Sequence, residues 1–546
     1  MEKQKTEESF ISDIAAESEV GIPDPKEIRN WRIYIYCIGV CFGAVALGYD
    51  VSVMGGTLIL PSFEEEFGLN NRSQKAVDDL TSNIVSCFQA GMFFGALASH
   101  PISDRWGRKW CMTIAASVFM IGASLQTGSP GLVGLIMGGR AVAGLGIGAA
   151  APVIPVYIAE VAPPSIRGKL IGFFEIGSQG AQMLGFWVNY AVNKTISPDS
   201  WYSTSWFFQW LTLGSSASAQ WRVPLGLQLL PGVILLAVLP LCPESPRWLC
   251  KQDQWEKAEN IMANIRQLPI SHPYVAKELR EIRAEVEFEA HLNSINPGFK
   301  GKLKDLFKKG IRNRLAIGLC LMMCQNMTGV NIITYYSPRI FATLGIQSTD
   351  LKLFATGFYG VAKTLGMVIF SFWVADHLGR RKGLIWGAFV GAVPMLYLGG
   401  YVMKNDPEAV AAAGETNMSG WGYLAMVCVY LYGVIYCATW QGITWLYASE
   451  IYPLYLRSLC MALTIADERL WSYVVSRATP YMISDIGYGT YFFFGALMVC
   501  MGFWAWWCIR ETKGIPIEEM DALFGAPHAA EIKNDFEKKK KKKEEA

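Results

Sequence analysis

Runs of about 20 apolar residues recur from one end of this chain to the other, each long enough as a helix to cross roughly 30 Å of hydrocarbon. In a bilayer core every backbone N–H and C=O must find a partner inside the protein, so segments of this length are read as helices. Twelve spans are predicted, near Ile33–Gly56, Leu80–Ala98, Cys111–Thr127, Leu132–Ile158, Leu170–Ala191, Val223–Leu241, Leu315–Tyr336, Leu353–Val374, Leu384–Val402, Leu424–Trp445, Leu459–Met482 and Tyr491–Cys508. Composition agrees: 17% of the 546 residues are charged, against about 25% in soluble domains. That excludes three or four soluble domains.

Orientation follows the basic residues of short loops. "SDRWGRK", "PPSIRGK" and "HLGRRKG" are basic, whereas the loop after span one carries Glu64, Glu65, Glu66, Asp78 and Asp79. With an even span count, both termini fall in the cytoplasm. The sequons at Asn71, Asn193 and Asn417 then lie outside, where glycosylation is expected. The thirteen cysteines sit mostly in spans without paired spacing and read as packing residues. Five scattered histidines give no metal site. The first thirty residues lack an apolar core, so no removable signal peptide is expected. The run Lys538–Lys543 reads as a solvated tail or a weak attraction to anionic lipid.

Short motifs recur between the two halves. "DRWGRK" from Asp104 matches "DHLGRR" from Asp376, and "EVAPPSIR" (Glu160–Arg167) matches "EIYPLYLR" (Glu450–Arg457). "PESPRWL", with Glu244 and Arg247, follows span six as "RETKG" follows span twelve. The fold class is therefore an all-α membrane protein of twelve transmembrane helices in two six-helix pseudo-symmetric halves. The expected division is a cytoplasmic tail (1–30), a first half (31–249), a cytoplasmic helical linker (250–314), a second half (315–510) and a tail (511–546). Parallel repeats of this kind suit rocking access around a midplane site. Asp104, Arg105, Arg108, Glu160, Arg167, Glu244, Arg247, Asp376, Arg380, Glu450 and Arg457 are expected to pair as a latch at the cytoplasmic face. The bland alternative is that the basic ones only enforce topology.

These motifs, with "GRAVAGLGIG" (Gly139–Gly148), "PVYIAEVAPPSIRGKL" (Pro155–Leu170) and "QNMTGVNIITYYSP" (Gln325–Pro338), resemble the sugar porters of the major facilitator superfamily. "GFWVNYAVN", "TGFYGVAK" and "RSLCMA" are similar to the fungal quinate-permease-like branch in particular. The resemblance covers all but the tails. It implies that Gln325, Asn326 and Asn331 of span seven contact the cargo, with Tyr335 and Tyr336 gating, and that Trp445 stacks on a sugar face. Amides that both donate and accept suit a hydroxyl-rich ring, although Asn and Gln also serve as interhelical glue. Glu175 occupies the span-five position where many hexose porters have a sugar-binding Gln.

Charges inside spans are costly and are functional candidates by default. Asp50 of span one and Arg140 of span four are expected to couple protons, or else to form a permanent ion pair. Lys363 is a third such charge. Asp467, Glu468 and Arg469 stand in a row in span eleven. Successive helical residues point about 100° apart, so the three cannot all face one cavity. By register from Arg457 the resemblance sets Glu468 where hexose porters have a Gln and Arg469 where the family usually has an aromatic, so Arg469 is expected to face the cavity with Glu468 flanking it and Asp467 turned to a neighbouring helix. A guanidinium there suits a carboxylate; an Arg469 paired with a bundle acid leaves a neutral cargo equally open. The expectation is a monomeric proton symporter in the plasma membrane, without cofactor, nucleic-acid partner or enzymatic activity, importing a sugar acid or cyclitol acid such as galacturonate or quinate. A neutral-monosaccharide symporter and a non-transporting sugar sensor are the alternatives.

Overall fold

The computed structural model describes residues 25–28, 30–196, 219–295, 298–308, 310–346, 348–374, 377–405, 420–453, 456–513 and 523–524. Asp376, Asn417 and the Lys538–Lys543 run lie outside the described residues. The described residues are almost wholly helical. Twelve long helices occupy the predicted spans: α1 (Trp31–Thr57), α2 (Gln74–Trp106), α3 (Arg108–Thr127), α4 (Val133–Val161), α5 (Pro164–Thr195), α6 (Ala219–Leu241), α7 (Ile311–Thr343), α8 (Thr349–Val374), α9 (Arg380–Lys404), α10 (Gly420–Ile451), α11 (Arg457–Tyr481) and α12 (Gly489–Cys508). Ten are apolar enough to cross a membrane on composition alone. The other two are α5 and α11, which carry Glu175 and the Asp467–Arg469 row. Large apolar side chains such as Phe94, Trp386, Val393 and Trp507 point outward, as a lipid-facing surface requires.

Helix boundaries differ from the hydropathy reading in one consequential place. Asp78 and Asp79, expected in a loop, lie inside α2, which begins at Gln74 behind an N-cap in which Ser73 accepts from the Ala76 N–H at 3.4 Å. Hydropathy stops at the first polar residue, but the helix continues beyond the apolar stretch.

Small residues set the packing within the first half. A Cβ at Gly144 would lie 2.2 Å from the Phe88 carbonyl of α2, and one at Gly146 would lie 2.4 Å from the Phe119 nitrogen of α3. "GRAVAGLGIG" is thus a two-sided contact strip, as membrane helices use where backbones approach closely. The linker helices Pro246–Lys251, Trp255–Arg266 and Pro273–Ile295 pack beneath this half. Arg266 forks onto Glu278 at 2.9 and 2.6 Å and donates to the Val161 carbonyl at the end of α4 (2.8 Å).

The two ends of the molecule differ. At the end carrying the D-x-x-G-R turns, the apolar core of the first half (Ile33, Cys37, Tyr157, Val161) includes Ile265 of the linker but no second-half residue. At the opposite end Tyr335, Tyr336 and Leu353 of the second half join a first-half cluster containing Phe63, Phe67 and Trp221. The halves are closed against each other there.

Candidate functional site

A cleft of about 580 Å³, open solvent included, lies between the halves at mid-helix depth, walled by α1 and α5 on one side and α7, α8, α10 and α11 on the other. Asn326, Asn331, Tyr335, Trp445, Glu468 and Arg469 line it, as do Lys363, Gln179, Gln182, Gln441 and Ser472. Gln325, Tyr336 and Glu175 are not among its lining residues.

The reason for Gln325 is a break in α7. The helix stops at Asn326 and restarts at Val330, turned by Gly329 at φ +87°. Asn331 thereby folds back to donate to the Asn326 Oδ1 (2.7 Å) and the Ser472 Oγ (3.1 Å). Asn326 donates to the Glu468 carbonyl at 3.1 Å. Gln325 turns behind this cluster, its Nε2 donating at 3.4 Å to the carbonyl of buried Trp440. Trp440, inside the π-helical turn Cys437–Gln441, packs in the core, while Trp445 faces the cleft.

In α11 the row of charges splits between two faces of the helix. Glu468 and Arg469 both line the cleft and touch each other at 2.8 Å, without the alignment of a hydrogen bond because they are neighbours on one helix. Asp467 turns away and bonds Trp471. Glu175 bonds Gln441, whose side-chain carbonyl also accepts from the Tyr436 hydroxyl at 2.9 Å. Lys363, buried in α8, donates to Gln182 of the first half (2.6 Å) and lies 3.4 Å from the Thr334 hydroxyl. No carboxylate lies within ion-pair distance of it among the described residues.

Behind the first-half wall, Asp50 and Arg140 form an ion pair with both side chains fully buried. The guanidinium also lies 4.4 Å over the Phe88 ring and donates to the Ile84 carbonyl (3.4 Å). One Asp50 oxygen and one Arg140 nitrogen have no partner, so the pair is incompletely satisfied. Next to it Tyr335 accepts from Gln89 of α2, and a Cβ at Gly55 would lie 2.6 Å from the Tyr335 carbonyl. Tyr336 departs from helical geometry (φ −122°, ψ 20°) and donates to the Ser476 carbonyl at 3.1 Å.

At the end with the D-x-x-G-R turns, the two halves repeat one arrangement. Arg108 forks onto Glu160 at 3.0 Å twice, and Arg380 forks onto Glu450 at 3.2 and 2.7 Å. Glu244 accepts from the N–H groups of Arg108 (2.9 Å) and Lys109 (3.2 Å), capping α3. Burial raises the Glu244 carboxyl above its ordinary range, against the pull of these donors and of the Arg108 charge. Glu511 caps α9 in the same way, through the N–H groups of Arg380 (2.8 Å) and Arg381 (3.1 Å). Sequence reasoning paired "PESPRWL" with "RETKG" but did not single out Glu511. Its signal was a Glu following the last span of each half. Arg105 is exposed, Arg167 and Arg247 are half-buried, and Arg457 donates to the Tyr452 carbonyl at 3.3 Å. The Arg–Glu pairs each lie within one half, so as placed here they stiffen the halves and do not bridge them.

The bridging ion pairs stand at the opposite end, and sequence reasoning missed them. Asp78 of α2 takes Arg339 of α7 at 2.7 Å and also accepts from Ser484. Asp79 takes Arg477 of α11 at 3.5 Å and accepts from Tyr481. At the same end Asn71 is exposed, whereas the Asn193 amide donates to Asp350 of α8 at 2.6 Å.

The description "Sugar (and other) transporter" belongs to a family model that matches residues 36–524. A probable quinate permease of Aspergillus clavatus is 40% identical over 505 residues, covering 92% of this chain and 89% of that protein. The quinate permease of Emericella nidulans is 38% identical over 509 residues, covering 92% and 90%. Among solved structures, the proton:xylose symporter XylE bound to 6-bromo-6-deoxy-D-glucose aligns at TM-score 0.71 and 26% identity, over 90% of this chain and 99% of that one. An inward-open XylE from E. coli aligns at TM-score 0.67 and 26% identity, over 90% and 99%.

Two six-helix halves around a central cleft, matched along nearly their whole length by permeases, define a multi-pass membrane transporter and not an enzyme. The chain belongs to the sugar porter family of the major facilitator superfamily.

Proposed function

We propose that the protein is a proton symporter that imports a small polyhydroxylated acid, quinate being the favoured cargo and galacturonate a second candidate. The names of the fungal relatives support this reading. The observation that carries it is the charge of the cleft wall, where Lys363 and Arg469 face a single acid, Glu468. Asn326, Asn331, Gln179 and Gln441 offer donors and acceptors to ring hydroxyls, and Trp445 offers a flat apolar face. Gln325 and Glu175 contribute from behind, by holding the α10 turn.

Coupling follows from the buried pair. A proton on Asp50 weakens its hold on Arg140, which then rests on the Ile84 carbonyl and the Phe88 ring of α2. That helix also carries Gln89 and so reaches the gating Tyr335. The D-x-x-G-R end faces the cytoplasm by the positive-inside rule, with both termini, and the Asp78–Arg339 end faces outward. The protein acts as a monomer in the plasma membrane, with a proton as its only coupling ion. The Glu468–Arg469 contact favours a second reading, in which the pair is self-neutralised and the cargo is a neutral monosaccharide.

Uptake of labelled quinate, galacturonate, glucose, xylose and rhamnose in a transporter-deficient yeast, at several pH values, tests this. Acid uptake that collapses with the proton gradient supports the proposal. Uptake indifferent to the gradient removes the symport, and uptake of neutral sugars alone removes the acid cargo.

A further inference from the structure

We propose that Lys363, not Arg469, is the residue that binds the cargo's carboxylate, and that Gln182 holds its place in the empty cleft. This deepens the acid-cargo reading and rests on it.

The two cations of the cleft differ in what surrounds them. Arg469 touches Glu468 at 2.8 Å, and Glu175 feels its charge across the cleft. Two acids therefore attend that guanidinium before any cargo arrives. Lys363 is 3% exposed and has no carboxylate within 4 Å among the described residues. The Cys437 thiol and the face of Tyr359, 5.8 Å away, lie beside it. An ammonium buried without a counter-ion is among the costliest groups a protein can hold. Its neutral oxygen neighbours, Gln182 Oε1 at 2.6 Å and Thr334 Oγ1 at 3.4 Å, both belong to cleft-lining residues. Lysine carries three donors and no acceptor, so at least one N–H is left for a ligand.

An incoming carboxylate supplies the missing charge. It replaces a neutral amide acceptor by an ionised one, the kind of exchange that makes hydrogen bonds shorter and about twice as strong. The displaced acceptor matters as well. Gln182 belongs to α5 of the first half, whereas Lys363 and Thr334 belong to the second. The halves are therefore tied across the cleft by Lys363–Gln182, and an acid cargo unties that bond as it binds. A neutral sugar has no comparable advantage over the amide. Lys363 in this role is a specificity-determining residue: it selects the carboxylate, while the amide cluster on α7 selects the hydroxyls.

The experiment is competition binding to purified full-length protein, comparing quinate with its carboxamide, which keeps the ring and hydroxyls and loses the charge. Wild type that binds both alike overturns the acid-cargo reading itself. With a wild-type preference for the acid, Lys363→Gln is expected to lose about tenfold or more of quinate affinity, with carboxamide affinity within about threefold of wild type. Lys363→Arg is expected to retain the preference. Gln182→Glu leaves the lysine in place but supplies it with a permanent anion, and it is expected to lose the preference likewise, which keeps the test decisive should Lys363→Gln fail to fold. The double variant Glu468→Gln/Arg469→Gln is expected to keep preferring the acid. Full preference in Lys363→Gln or Gln182→Glu, or its loss only in the double variant, overturns the proposal.

Discussion

Replacing Asp78 by Asn tests whether the Asp78–Arg339 pair holds shut the end proposed to face outward. The side chain is 3% exposed, its carboxylate accepts from Gln74 at 2.9 Å within its own helix, and Arg339 and Ser484 reach it from the other half. Asn keeps the shape and removes the charge. Truncating one member of a buried charge pair typically costs about 2–5 kcal/mol. Here Arg339 retains 27% exposure and can rehydrate, so the low end, about 2 kcal/mol, is the appropriate figure. That shifts the closed-to-open ratio of the outer end roughly 30-fold. From a start of about 99:1 closed, the open fraction rises from roughly 1% to about a fifth, and apparent affinity from outside improves by the same factor, about 20-fold. The readout is the initial rate of cargo uptake into intact cells against external concentration. KM is expected to fall about tenfold or more, and maximal rate to fall with it, because the outward-open state has become harder to leave. The swapped pair Asp78→Arg/Arg339→Asp is expected to restore both. A KM within threefold of wild type in Asp78→Asn refutes the idea that this ion pair holds the outer end shut.

Asp50→Asn is expected to abolish uphill accumulation in proteoliposomes while leaving exchange of internal for external cargo, and accumulation at the wild-type level would refute the coupling role. Gly107→Ala forces a side chain onto a backbone at φ +93°, with its Cβ 2.3 Å from the Glu244 carboxylate. A loss of about 1–3 kcal/mol is expected, read as a fall in detergent melting temperature, with a smaller fall for Gly379→Ala, where the approach to Glu511 is 2.8 Å. Glu511→Ala is expected to destabilise by about 1–2 kcal/mol, equal within error to Glu244→Ala in the same melt. Asn71→Gln is expected to remove a glycan and shift gel mobility, whereas Asn193→Gln is expected to leave mobility unchanged because its amide is held by Asp350.

The helices were legible in the sequence because the bilayer imposes a length, and length can be read without knowing any contact. The division into halves was legible because the turns repeat. That the three α11 charges cannot share one face followed from the 100° step of the helix; which of them face the cleft came from the register with the family. What could not be read were groups whose partners lie far along the chain. Lys363 is conspicuous as a charge, but nothing near it in sequence names Gln182. The break in α7 left one weak mark, Gly329, within a stretch whose composition suits a continuous helix, so Gln325 was expected beside Asn331 and is instead behind it. Asp78 and Asp79 read as loop acids because hydropathy marks where the apolar core ends, not where a helix ends.

The placement of the ion pairs bears on how the halves move. The Arg108–Glu160–Glu244 group and its copy, Arg380–Glu450–Glu511, each close within one half, and each fixes a helix N-terminus against a neighbouring helix. Such groups make two stiff bodies. Among the described residues, the polar contacts that cross between the bodies include Asp78–Arg339, Asp79–Arg477, Arg477–Ser82, Lys194–Asp350, Asn193–Asp350, Gln89–Tyr335, Gln182–Lys363, Thr364–Gln179 and Glu175–Gln441. At roughly 0.5–3 kcal/mol each, they sum to several kcal/mol. A ligand can shift such an equilibrium only by its differential affinity for the two states, and one carboxylate on Lys363 with one proton on Asp50 is of that order. Several of these contacts, those at Gln182 and Gln89 among them, end on groups that cargo or the buried pair can reach directly. Switching therefore requires no long-range strain within either half. On the proposed coupling, cargo and proton exchange places with contacts the protein makes with itself.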